Sequence, residues 1–285
     1  MSKLNVLVTG ANGQLGSELK MLSEHAGQMR FTFVDIDELN IANAQQVSSY
    51  VNKLKPNFIV NAAAYTAVDN AELEPDMAFS INADAVKSLA YAAKSVNAKL
   101  IHISTDYVFN GQSYLPYNED DVTNPNSVYG ESKLKGEEYA ISSGVAMVIR
   151  TSWLYSAFGN NFMKTILAKS ADGKLKVVFD QVGSPTWAND LAKALIAIIE
   201  QSKNSFLNQV FHYSNEGVCS WYDFANEILR IKGIRCDINP VLSSEFKSKA
   251  NRPHYSVLNK QKVKSAFGIS IPYWRDSLKE CLNSL

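Results

Sequence analysis

Short apolar runs alternating with helix-patterned segments predict an α/β fold: a doubly wound parallel sheet followed by a smaller, mostly helical lobe. Two further observations support this. A glycine-rich turn directly follows the first apolar run, and the alternation fades after Arg150. Leu4–Val8 reads as the first strand and Gln14–Leu22 as the first helix; Phe31–Val34 and Ala44–Leu54 repeat the pair. Phe58–Val60 is a third strand, ending at Asn61-Ala62-Ala63-Ala64, and Met77–Val96 a long helix with Asp76 near its start. Leu100–Ile103, Val128–Ile141 and Val145–Ile149 complete the series as strand, helix and strand. Apolar runs separated by helices are the pattern of parallel strands buried on both faces. Beyond Arg150, Phe162–Ala168, Leu191–Ile199, Tyr222–Ile231 and Trp274–Leu282 read as helices joined by Gly-, Asn- and Pro-containing loops. The expectation is a Rossmann-type sheet over 1–150, with later contributions from the C-terminal half, and a helical lobe over 151–285.

The 285 residues are 46% hydrophobic and 20% charged, enough apolar content for a sizeable core. Lys+Arg and Asp+Glu both number 28, so no basic excess points to nucleic acid or a membrane surface. Cys219, Cys236 and Cys281 lack metal or disulfide spacing, and the four His are dispersed, so no metal site is expected. No signal-like segment or membrane-length apolar run is visible, and the expected location is the cytoplasm.

Gly10-Ala11-Asn12-Gly13-Gln14-Leu15-Gly16 lies between the first strand and the first helix. Glycines there permit a tight turn and close approach to a pyrophosphate, and the helix N-terminus offers free N–H groups. A dinucleotide is the implied ligand. The spacing is Gly-x-x-Gly-x-x-Gly, and a purely structural turn is the alternative. Asp35 ends the second strand, where an acid accepts from an adenosine ribose and repels a 2′-phosphate, favouring NADH over NADPH. Small residues at Ala62-Ala63-Ala64 would let the backbone lie beside the cofactor or pack against a helix.

Tyr129 and Lys133 stand four apart in a helical pattern, and Tyr129 alone among thirteen tyrosines has Lys at that spacing. One helix face would hold both, with the Lys133 ammonium near the phenol favouring its ionised form. Thr105, in Ser104-Thr105-Asp106, emerges at the carboxyl end of the fourth strand, where such sheets bind ligands. Its hydroxyl could hydrogen-bond the oxygen that exchanges a proton with Tyr129. A half-buried helix aromatic and a solvated charge are the plain alternatives for the pair.

These motifs, with Arg150-Thr151-Ser152-Trp153, Asn161-Phe162, Asp180-Gln181-Val182-Gly183-Ser184-Pro185-Thr186 and Arg252-Pro253, run nearly end to end. On them the chain resembles the extended short-chain dehydrogenase/reductase superfamily and, within it, the dTDP-4-dehydrorhamnose reductase family. The resemblance implies reduction of a dTDP-linked 4-keto-6-deoxyhexose by NADH or NADPH, with Tyr129 as proton donor and Lys133 and Thr105 completing the triad. It implies that Gly10, Asn12, Gly13, Gln14, Leu15, Gly16, Asp35, Asn40, Ile41, Ala64, Tyr65 and Thr66 meet the cofactor, as do Tyr129 and Lys133, the latter at the nicotinamide ribose. Thr105, Asp106, Trp153, Asn161 and Arg252 would meet the substrate. Asn40 stands where relatives often carry an acid, though Asn can still donate and accept. Arg252 suits a pyrophosphate or a surface ion pair; Trp153 suits a sugar or a buried packing role. By resemblance alone, Mg²⁺ and a homodimer contact are allowed. A superfamily epimerase or dehydratase, and a non-catalytic subunit like that of methionine adenosyltransferase, remain alternatives.

Overall fold

A computed structural model of the chain describes residues 3–202, 205–246 and 248–285. In the first half, β1 (Leu4–Thr9), α1 (Gln14–Ser23), β2 (Met29–Val34), α2 (Ala44–Leu54) and β3 (Phe58–Asn61) follow in turn. Two short helices, α3 (Val68–Ala71) and α4 (Pro75–Phe79), lead through a π-turn at Ser80–Asp84 into α5 (Ala85–Ser95). Then come β4 (Lys99–Thr105), α6 (Val128–Ser142) and β5 (Ala146–Thr151). The second half carries short strands β6 (Leu154–Tyr155), β7 (Lys174–Val178), β8 (Val182–Gly183) and β9 (Thr186–Trp187), with α7 (Phe162–Lys169) after β6. It continues through α8 (Ala188–Ser202), β10 (Val210–His212), β11 (Cys219–Ser220), α9 (Trp221–Lys232), β12 (Asp237–Val241), α10 (Gln261–Phe267) and α11 (Trp274–Asn283).

Local chemistry sets several boundaries. Asn43 caps α2 through the N–H groups of Gln45 and Gln46, and Ser127 caps α6 through Gly130. Ser220 and Asp223 form a reciprocal capping box on α9, which stops at Gly233 in the left-handed region.

Six strands form one parallel sheet in the order β10-β5-β4-β3-β1-β2. The chain leaves β1 first to one side and then to the other, opening a crevice at the strands' carboxyl ends. One sheet face is covered by α1, α8 and α10, where Val6, Val8, Leu195 and Phe211 are buried. The other is covered by α2, α5 and α6, where Leu7, Ile59, Leu89 and Val148 are buried. A separate core around Tyr155, Phe224 and Trp274 supports the helical lobe.

Two features go beyond the sequence reading. The sheet has a sixth strand, β10, from the C-terminal half; its three residues are too few to show a pattern. The helix expected over Met77–Val96 is interrupted by the π-turn, which swings Asn82 inward. The Asn82 side chain grips both the N–H and the carbonyl of Tyr65, at 2.9 and 3.0 Å, and donates to Ser132. Gly136 admits this bulge, because a Cβ there would lie 2.1 Å from the Asn82 carbonyl oxygen. No helix among the described residues is long and apolar enough to cross a membrane.

Candidate active site

The glycine turn divides its work among three positions. Gly10 has φ +71°, and a Cβ there would press on the Ala62–Ala63 backbone at 2.6–2.8 Å. At Gly16 a Cβ would lie 2.3 Å from the Gly10 carbonyl oxygen, so this glycine lets α1 start against the turn. Gly13 differs: a Cβ there would meet one atom within 4 Å, that same oxygen, at a tight but milder 3.3 Å. Gly13 is also the N-cap of α1, which has no side-chain cap and no acid in its first turn. The ten-residue helix therefore presents N–H groups and the positive end of its dipole at its uncapped N-terminus, which suits a diphosphate. Asp35 braces the turn, its Oδ2 accepting from Asn12 N at 2.8 Å and its Oδ1 from Ile36 N.

Tyr129, Lys133 and Thr105 come together at the carboxyl end of β4. Tyr129 and Lys133 are buried on α6, and the Thr105 hydroxyl, which donates to Asp106 Oδ1 at 3.0 Å, lies close to the Tyr129 phenol. Burial pushes that phenol up to about 12, against the pull of the nearby Thr105 hydroxyl and with a further push from the Asp106 carboxylate. The expectation that Lys133 lowers the phenol's pKa is not met. Its long stem carries Nζ past the ring to β4, where it donates to the Ile103 carbonyl at 2.7 Å. Sharing a helix face does not bring the two polar ends together. Burial lowers the Lys133 amine to about 8, partly offset by Glu137. Asp106 is also buried, which pushes it up to about 6, although the Thr105 hydroxyl donates to its Oδ1 at 3.0 Å; its Oδ2 has no hydrogen-bond partner among the described residues.

Beside this centre lies a cavity of about 720 Å³, lined by Phe162, Trp221, Gln181, Phe246, Asn251 and Arg252 among others. Its aromatic wall is layered. The Trp153 ring stacks on Trp221 at 3.6 Å between centroids, and Phe162 tilts against Trp221. Trp153 has φ +48°, and Gly183 makes room for its indole, since a Cβ at 183 would lie 2.7 Å from Trp153 Cε2. At the other end of the cavity, Arg252 pairs with Asp69 at 2.8 Å. Asp69 also accepts from Ser248 Oγ, Lys249 N and Ala250 N, so one α3 carboxylate holds the whole 248–252 strap. Close to Arg252, the Tyr107 ring stands edge-on to Tyr129 at 5.5 Å between centroids.

The sequence-nominated residues separate into groups. Thr105, Asp106, Tyr129 and Lys133 converge, and Gly13, Gln14 and Leu15 open α1 above them. Tyr65 is fixed by Asn82, and Ala64 and Thr66 adjoin it on the crevice loop after β3. Asn40 is exposed and accepts from Ala42 N, while the adjoining Ile41 is buried. Asn161, expected at the substrate, is spent elsewhere. Its Oδ1 caps α7 through Lys164 N, and its Nδ2 donates to Gln14 Oε1 at 3.0 Å and Ser156 O at 2.7 Å. It ties the helical lobe to the glycine turn. Sequence reasoning missed Asp69, Asn82 and Trp221. An acid in the loop after β3, an Asn inside a helix and a Trp behind a Ser–Asp capping box were the available signals. Among the described residues no cluster of three or more His, Cys, Asp or Glu is placed to hold a metal.

Residues 4–285 match the family model described as the RmlD substrate binding domain. The chain is 41% identical over 280 residues to the spore coat polysaccharide biosynthesis protein SpsK of Bacillus subtilis, covering 97% of this chain and 96% of that protein. It is 40% identical to a dTDP-4-dehydrorhamnose reductase of Aggregatibacter actinomycetemcomitans, covering 96% and 97%. The crystal structure of dTDP-4-dehydrorhamnose reductase from Bacillus anthracis in complex with NADP superimposes with a TM-score of 0.92 at 36% identity, covering 99% of this chain and all of that one. Matched from its first strand to its last helix, the chain belongs to the RmlD substrate-binding-domain family.

Proposed function

We propose that the protein reduces dTDP-4-dehydro-β-L-rhamnose to dTDP-β-L-rhamnose with NAD(P)H, the step that completes dTDP-rhamnose. The convergence of Thr105 and Tyr129 beside a nucleotide-sized cavity carries this reading. Relatives named for this reaction, matched over nearly the full chain, support it.

The cofactor, when bound, supplies the hydride that C4 receives. Gly13 and the first turn of α1 would hold its diphosphate, and the Tyr65 loop, pinned by Asn82, would flank it. Thr105 and Tyr129 present two hydroxyls to one carbonyl oxygen. As charge develops on that oxygen, Tyr129 donates its proton and Thr105 keeps a hydrogen bond to it. A phenol held near 12 is fully protonated at neutral pH, so it stands ready as a donor and gives up its proton only to a strong base such as an alkoxide. Lys133, anchored on Ile103, would reach the nicotinamide ribose. In the cavity Trp221, backed by the stacked Trp153, offers a flat face, and Arg252, held by Asp69, suits a diphosphate.

This assigns the cofactor to residues 1–150 and the sugar nucleotide to 151–285, with β10 returning to complete the sheet. At Asp35 the carboxylate meets backbone N–H groups of Asn12 and Ile36, with no cation among its hydrogen-bond partners in the described residues, which favours NADH. The test is cofactor oxidation with dTDP-4-keto-6-deoxyglucose, with and without a 3,5-epimerase. Turnover that requires the epimerase supports the reading; absence of turnover in both overturns it.

A further inference from the structure

Below the strand ends, one rung of the sheet is unexpectedly polar. Thr9 on β1, Asn61 on β3 and His102 on β4 are direct register partners, each fully or almost fully buried. The rung two residues earlier on the same face is Leu7, Ile59 and Leu100, as a doubly covered sheet requires. Three buried polar side chains are costly in such a sheet unless each is satisfied. Here each satisfies the next. Thr9 Oγ1 donates to Asn61 Oδ1 at 2.7 Å, and Asn61 Nδ2 lies 3.0 Å from His102 Nδ1. His102 Nε2 then lies 3.4 Å from Lys133 Nζ, which donates to Ile103 O. The row ends on the amine beside the reacting centre.

The donors fix the ring. With Asn61 Oδ1 taken by the Thr9 hydroxyl, its amide N–H faces His102 Nδ1, which must accept. The single ring proton then sits on Nε2 and points at Lys133. Burial, followed by the charge of Lys133, holds His102 well below the ordinary imidazole range, so the ring is neutral. An Nε2–H facing Nζ is a good partner for a neutral amine and a poor one for an ammonium. Glu137 on α6, itself paired with Arg150 of β5 at 2.7 Å, opposes this by favouring the charged amine.

We propose that His102 is a positioning residue for Lys133. Held as the Nε2–H tautomer by Asn61 and Thr9, it fixes the amine on the Ile103 carbonyl and sets the pH at which that amine loses its proton. This rests on the reductase reading for the role of Lys133, but not for the tautomer.

Two measurements test it on the full-length enzyme. Long-range ¹H–¹⁵N correlation on histidine-labelled protein should show His102 with Nδ1 bare and Nε2 protonated, unchanged between pH 6 and 9. An Nδ1–H tautomer, or titration in that range, would overturn the proposal. Asn61→Asp replaces the amide donor with an acceptor, so the ring should flip to Nδ1–H and offer Nε2 as an acceptor to the ammonium. The basic limb of its kcat profile should move up by roughly half a pH unit or more, with the sugar KM within about twofold. An unmoved limb would contradict the proposal. Should the variant not fold, the wild-type tautomer still decides. Failure of the wild type to turn over any keto-sugar would instead count against the reductase reading.

Discussion

The Asp69 carboxylate and the Arg252 guanidinium, 183 residues apart in sequence, close on each other at 2.8 Å and join the loop after β3 to the strap over the cavity. The pair is part-exposed, and such pairs alone add little to stability. Asp69 does more, because it also takes two strap N–H groups and the Ser248 hydroxyl. These contacts hold its carboxyl well below the usual range despite partial burial, so it is ionised at working pH. Asp69→Asn should therefore raise the keto-sugar KM about three- to tenfold, with kcat and cofactor KM within about twofold. Steady-state kinetics with each substrate varied checks this.

Asp106 gives a pH-dependent prediction. Burial raises its folded-state pKa from 3.8 to about 6, so the folded protein takes up its proton more readily than the unfolded chain. Stability is then lost as pH rises from 3.8 through 6, by about 3 kcal/mol at most. Asp106→Asn should raise Tm at pH 7.5, and the gain should vanish by pH 3.5. Calorimetry across that range tests the sign, and the sugar KM should rise because the carboxylate faces the site.

The glycine turn predicts a split between two similar substitutions. Gly13→Ala adds a Cβ at ordinary φ only 3.3 Å from the Gly10 carbonyl oxygen and at an N-cap, so it should cost about 1 kcal/mol of stability while cofactor KM rises about tenfold or more. Gly16→Ala drives a Cβ into the Gly10 carbonyl and should cost about 2 kcal/mol or more of stability. Thermal unfolding beside cofactor titration separates the two.

Removing the Tyr129 hydroxyl leaves Thr105 and the cofactor site in place. Tyr129→Phe should lower kcat about a hundredfold or more, with cofactor affinity within about twofold. Single-turnover kinetics and cofactor binding by fluorescence check both halves.

Much of this was legible in the sequence where signals are local. Strand–Gly-turn–helix at Leu4–Ser23 and the spacing from Tyr129 to Lys133 repeat in the structure, because periodicity and turn chemistry act over a few residues. What escaped depends on distant partners. Asn61 and His102 look like ordinary strand-end polars until sheet register lines them up. Lys133 shares a face with Tyr129, as expected, yet its amine answers to β4, and only the packing of α6 on the sheet reveals that. Asn161 carries no mark in the sequence to separate a helix cap from a ligand contact.

The central claim is net hydride transfer to C4 of the sugar. NAD(P)H deuterated at the transferable position of nicotinamide C4, supplied with dTDP-4-keto-6-deoxyglucose and a 3,5-epimerase, tests it directly. The reductase account predicts oxidised cofactor and one deuterium at C4 of dTDP-L-rhamnose, read by mass spectrometry and NMR. Deuterium that stays on the cofactor while the sugar is epimerised or dehydrated, or an unchanged sugar, would contradict it.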